Sequence, residues 1–191
     1  PIDKTSLIQG IQIYPPVENK KYSWNNNTLN IKINEPLKEN TNYYLNIGSA
    51  LKCFHGNNLE KPLTYIFING KLNMNKISAQ FAYEDEKDQF LEKRILLLDS
   101  DSLLVSEKNT AENNIIFDYL NNQSFLIRSY IDKNKNNRYD YGIEPYFQSR
   151  LIEKSLQPVK INLAYADTTK PSVKYIKSNS KNDKKIVFTK N

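Results

Sequence analysis

The chain has 191 residues, room for one or two domains, and it is polar, yet its 13 Tyr, 8 Phe and 1 Trp supply enough aromatic area for a packed core. Its net charge of +6 comes from lysines scattered among Asn, Ile and Tyr rather than gathered on one stretch, so no nucleic-acid partner is expected. The single cysteine, Cys53, excludes an internal disulfide framework, and no run approaches the ~18 apolar residues of a membrane span.

In chain order, short apolar runs alternate with turn residues. Leu7–Tyr14 reads as a strand stopped by Pro15 and Pro16. Lys21–Trp24 is followed by the three-residue turn Asn25-Asn26-Asn27. Thr28–Ile33 places Leu29, Ile31 and Ile33 on one face. After Glu35–Thr41 come Tyr43–Ile47 and Leu63–Ile68. Strands at this spacing, punctuated by Asn, Pro and Gly, predict an all-β antiparallel sandwich. The residues Pro36-Leu37, Asn40-Thr41-x-Tyr43 and Gly56-Asn57-x-Leu59 stand in an order similar to the bacterial Ig-like domain of surface-layer and envelope lipoproteins, a resemblance covering Pro1 to Gly70. Each has a scaffold role. Leu37 caps the sandwich, Asn40-Thr41 turns the chain, and Gly56-Asn57 permits a tight turn.

Lys71–Asn75 links to a second block. Lys76–Tyr83 places Ile77, Ala79, Phe81 and Tyr83 on one face, Glu84–Gln89 is a charged loop, and Arg94–Leu98 reads as a buried strand, with a helix over Glu86–Leu98 the competing assignment. Glu107–Asn114 reads as a polar connector. Ile115–Phe117, Ser124–Ile131 and Leu156–Leu163 complete a second small sandwich.

Ser124–Ile131 feeds into Ile131–Tyr146, I-D-K-N-K-N-N-R-Y-D-Y-G-I-E-P-Y, which is the candidate site. Oxygen-bearing side chains fall at Asp132, Asn134, Asn136, Asp140 and Glu144, with the carbonyl of Arg138 between them. A hard cation such as calcium takes six to eight oxygens, and alternating donors on a wound loop supply them. The first nine positions have EF-hand spacing, but the sixth is Asn137 instead of Gly and the acid comes one residue late, at Glu144. The affinity expected is in the weak extracellular range, about 10⁻⁴–10⁻³ M. The alternative is a polar hairpin held by Asx turns without a metal. The run resembles the D-x-N-x-N-x-x-x-D-x-G-x-E loops of bacterial surface proteins. The block as a whole resembles the prealbumin-like, or collagen-adhesin B-type, domain that follows an Ig-like domain in some large envelope lipoproteins. Leu120-Asn-Asn-Gln123 stands where that family commonly has a Leu-Pro-x-Gly turn.

Asp167–Val173 (D-T-T-K-P-S-V) looks like the opening of a fresh Ig-like domain, and Ile186–Asn191 like the strand that normally precedes the segment at Pro1-Ile2-Asp3. The expected organisation is two small sandwiches in tandem plus a hairpin: an Ig-like unit at 1–70 without its first strands, a prealbumin-like unit at 71–166, and a start of a further unit or a fold-back hairpin at 167–191. With Pro1 first, the chain reads as a piece of something longer, any export signal lying upstream. The tail lysines are read as solvated rather than as a basic patch.

Catalytic constellations are not legible. His55, the only histidine, lies two residues from Cys53, but no third group or further ligand accompanies them. Glu84, Asp85, Glu86 and Asp88 form a charged loop more readily than a hydrolytic pair. Lysines and asparagines are too numerous for an internal Lys–Asn isopeptide pair to be nominated. The reading is therefore a non-enzymatic structural or interaction module of a bacterial cell envelope or surface, contacting other domains of its own chain and envelope proteins or glycans. The alternative is a carbohydrate- or peptide-binding accessory module, expected to show Tyr139, Tyr141 and Tyr146 as a flat aromatic row.

Overall fold

The structure is a computed structural model that describes residues 2–26, 28–153 and 157–189. Asn27 of the triple-Asn turn, Leu156 at the start of one expected strand, Pro1, and the last two residues of the expected Ile186–Asn191 strand lie outside the described residues.

The chain is nearly all β, as expected, although the start differs. Leu7–Gly10, expected as strand, is a single helical turn (α1) that follows a 3₁₀ turn at Lys4–Ser6, and only Ile11–Tyr14 (β1) is extended. Asp3 starts the turns by accepting the Thr5 N–H at 2.9 Å. Gly10 ends them where a Cβ would stand 2.7 Å from Leu51 Cα, so only glycine allows the chain to pass this close.

Lys20–Asn25 (β2) and Thr28–Ile33 (β3) form a hairpin, while β1, Thr41–Ile47 (β4) and Leu63–Asn69 (β5) form a three-stranded antiparallel sheet in the order β1-β4-β5. Alternation along β4 sends Tyr43 and Leu45 to one side, where they meet Ile13, Val17, Ile31, Ile33, Leu37 and Phe67. Asn42, Tyr44 and Asn46 point to the other side and are also buried.

What buries them is the second sandwich. Asn75–Tyr83 (β6), Lys93–Leu98 (β7), Leu104–Thr110 (β8), Asn114–Leu120 (β9), Leu126–Tyr130 (β10), Pro145–Gln148 (β11) and Val159–Tyr165 (β12) run in the order β8-β7-β10-β11-β12-β6-β9. The sheet turns over at β11–β12, where the pairing is confined to Pro145–Tyr165 and Tyr146–Ala164. Its two halves enclose Ile77, Ala79, Phe81, Ile95, Leu97, Val105, Ile115, Phe117, Ile127, Ile161 and Leu163. One pair, β6 with β12, is parallel. The first half of the polar connector expected at Glu107–Asn114 is instead the end of β8, with Glu107 buried because it has partners described below. Lys93–Leu98 is strand rather than helix.

β8 and β9 are the two ends of this sheet order, and the β1-β4-β5 sheet spans both. Tyr14, Tyr44 and Ile66 join the second sandwich's core. Asn46 Nδ2 donates to the Val105 carbonyl at 3.0 Å, and Tyr44 Oη donates to the Tyr119 carbonyl at 2.8 Å while accepting the Asn121 N–H at 3.1 Å. Asn42 exchanges hydrogen bonds with Asn73, Tyr119 and Asn121. The three-stranded sheet is thus the middle layer of a stack.

The remaining strands, Val173–Ser178 (β13) and Lys184–Phe188 (β14), form a two-stranded antiparallel hairpin.

Candidate cation-binding loop

The loop leaves β10 and returns as β11, and its shape is set by side-chain oxygens accepting main-chain N–H groups. Asp132 takes the N–H of Asn136 at 3.0 Å and of Asn137 at 2.6 Å; Asn136 Oδ1 takes that of Arg138 at 2.7 Å. These contacts wind the chain tightly enough that Asn137 adopts φ 64°, a left-handed backbone asparagine tolerates better than most residues. Glu144, with 0 % exposure, closes the neck: Oε1 accepts from Lys133 N–H at 2.7 Å and Oε2 from Asp140 N–H at 2.9 Å. Gly142, at φ 76°, lets the 140–144 turn pass against the Thr168 methyl, where a Cβ would collide.

The structure therefore brings Asn134, Asn136 and Asp140 to one point: both amides donate to Asp140 Oδ2, at 2.5 Å and 2.9 Å. Asp132 stands at the root of the same winding. Glu144 spends both oxygens on the backbone, and Arg138 joins the loop through its N–H, with an exposed side chain. Among the described residues no three His, Cys, Asp or Glu side chains stand close enough to hold a metal by themselves. A cation here would depend on the amides of Asn134 and Asn136. Their oxygens are of the kind a hard cation takes, but those oxygens already accept the Asn136 and Arg138 N–H groups while the amide nitrogens face Asp140, so both side chains have to turn and give up these bonds for the cation to bind.

Two ion pairs that sequence reading missed anchor the loop. Lys133 Nζ reaches the buried Asp88 at 3.0 Å and bonds the Tyr165 hydroxyl, which itself donates to Asp88. Burial opposes the charge on Lys133, but Tyr165 and Asp88 outweigh it and raise its pKa. Arg94 donates to the Asn137 carbonyl through Nη1 at 2.7 Å and forms an ion pair with Glu107, whose Oε1 lies 2.9 Å from Nε without hydrogen-bond geometry, and Ser49 Oγ donates to the same Glu107 oxygen at 2.7 Å. Loop, second sandwich and first unit are therefore joined by one chain of polar contacts. The charges were visible in sequence. Their pairing, across separations of 13 and 45 positions, was not.

The tyrosines do not form a flat row. Tyr139 and Tyr146 rings lie 4.5 Å apart at 31°, Tyr130 packs on Tyr139 at 58°, and Tyr141 is exposed with its hydroxyl 3.5 Å from the Asp167 carbonyl. Elsewhere, Cys53 is half-buried at the Gly56 turn and His55 is exposed. Lys93 is fully buried, its Nζ held by the carbonyls of Gln89 and Ala111 at 2.8 Å and 2.7 Å and lying 3.5 Å from Asn113 Oδ1.

No helix among the described residues is long and apolar enough to cross a membrane. No curated protein and no solved structure matches the chain. The unit built from β1 to β5, with its turns at Asn40 and Gly56, is another matter: residues 2–68 match the family model of the bacterial Ig-like domain.

Proposed function

We propose that the chain is a non-enzymatic, rigid structural module of a bacterial cell-envelope or surface protein, made of an Ig-like unit at 1–70, a prealbumin-like unit at 71–166 and the start of a further unit at 167–191. The Ig-like match supports the module reading, since such domains are generally non-catalytic. The observation that carries rigidity is the middle sheet, whose second face is buried against β8 and β9. Flexibly linked domains expose that surface, and relative motion is the default unless the interface is apolar and large. Trp24, the only tryptophan, reports on the first unit alone. Its fluorescence and the far-ultraviolet circular dichroism are expected to give coincident thermal transitions. Two separated transitions would overturn the rigid joint.

Calcium is the proposed stiffener, taken by Asp132, Asn134, Asn136, Asp140 and the Arg138 carbonyl, with Glu144 holding the neck. Melts in millimolar calcium and in EDTA test this. A ligand bound only by the native state adds about 2.7 kcal/mol at a hundredfold excess over Kd. The expected rise disappears in Asp132→Ala; an unchanged melt at saturating calcium removes the metal and leaves an Asx-turn hairpin.

A further inference from the structure

The chain leaves the second sandwich at Tyr165, the last residue of β12, which is paired with Pro145 at the foot of the loop. It therefore runs out beside the loop's 140–144 turn and packs against it. Gly142 has no side chain there. A Cβ would stand 2.3 Å from Thr168 Cγ2, so the Thr168 methyl occupies the space a side chain would need. Next to it, Tyr141 Oη donates to the Asp167 carbonyl at 3.5 Å. Asp167 Oδ1 accepts the Thr169 N–H at 2.8 Å, an Asx turn that curls the segment locally.

The β13–β14 hairpin begins almost at once. Ser172 already belongs to it, since its carbonyl accepts the Thr189 N–H at 2.8 Å and its N–H donates to Thr189 Oγ1 at 3.2 Å. Between Thr169 and Ser172 stand only Lys170 and Pro171. Proline fixes its own φ and pushes the residue before it towards extended backbone. The pair is thus a stiff spacer, spanning at most about 7 Å.

We propose that the Tyr141-Gly142 turn is a seat for Asp167 and Thr168, and that through the Lys170-Pro171 spacer it fixes the direction in which the hairpin leaves the second sandwich. The turn is itself held by the loop. Glu144 accepts the Asp140 N–H at 2.9 Å, and the Asp140 carbonyl accepts the N–H groups of Ile143 and Glu144 at 3.2 Å and 3.1 Å. Order in the loop is therefore passed along the chain to the hairpin, which makes the loop a joint between two segments. The seat is built from protein groups alone and needs no cation.

Backbone amide NMR relaxation on the full chain tests this. In the wild type, the amides of residues 167–169 and of β13–β14 are expected to show order parameters of about 0.85 and to tumble with the sandwiches. Tyr141→Ala with Thr168→Gly, both at exposed positions, is expected to drop residues 167–169 below about 0.6 and to let the hairpin reorient by itself. The thermal melt of the sandwiches should stay unchanged; Thr168→Gly alone replaces the double variant if it does not. Pro171→Gly separates the seat from the spacer, because the hairpin should come loose while Asp167 and Thr168 stay ordered. A hairpin that reorients independently in the wild type, or that stays locked to the sandwiches in either variant, overturns the proposal.

Discussion

Arg94 is the residue on which most of the polar order converges, and its loss would leave a specific debt. Glu107 is buried, and its Oε1 is held by Arg94 and Ser49. Removing one partner of such a pair leaves an uncompensated buried charge, so Arg94→Ala is expected to cost roughly 3–5 kcal/mol in urea unfolding and to loosen the loop at Asn137. At φ 64° the 137 position itself is selective. Asn137→Gly should be near neutral, whereas Asn137→Val is expected to lose about 1–3 kcal/mol in the same assay. The sequence was compatible with this, since the asparagine that replaces glycine at the loop's sixth position tolerates a left-handed backbone better than most residues. It hid Glu107, because an acid in a polar run looks solvated until its cation, 13 positions away, is known to lie beside it.

At the scale of elements, β4 explains what was legible and what was not. Its pattern T-N-Y-Y-L-N-I alternates an apolar face with a wet one, and a strand was expected over Tyr43–Ile47. The polar face is wet in sequence only. Asn42 and Asn46 are fully buried, satisfied by Asn121, Asn73 and the Val105 and Tyr119 carbonyls, partners no local pattern could announce. α1 was misread for a related reason: L-I-Q-G alternates like a strand, but the Asp3 cap and the close approach of Gly10 to Leu51 favour a turn. Tyr44→Phe keeps the ring and removes the hydroxyl, so the Tyr119 carbonyl and Asn121 N–H lose their partner. About 1–3 kcal/mol should disappear from the chemical denaturation free energy, with both units losing it together.

For the whole molecule, buried phenols set the alkaline limit. Burial pushes Tyr14, Tyr44, Tyr83 and Tyr130 up to about 12. In the unfolded chain they ionise near pH 10. The unfolded state therefore releases protons first, so the stability they contribute is complete below about pH 10 and falls as pH rises towards 12. Ultraviolet titration should find these phenolates appearing together with unfolding rather than before it. The doubly covered sheet also has a consequence in time. Tyr44 waits for Tyr119 and Asn121, 75 to 77 positions further on, and Asn42 for a residue 79 positions away. At synthesis rates of about 5–20 residues per second, that is roughly 4–16 s during which one face of the first unit has nothing to lie against. Carrying asparagine and threonine among its tyrosines keeps that face tolerable to water in the interval. The half made first is therefore the half completed last.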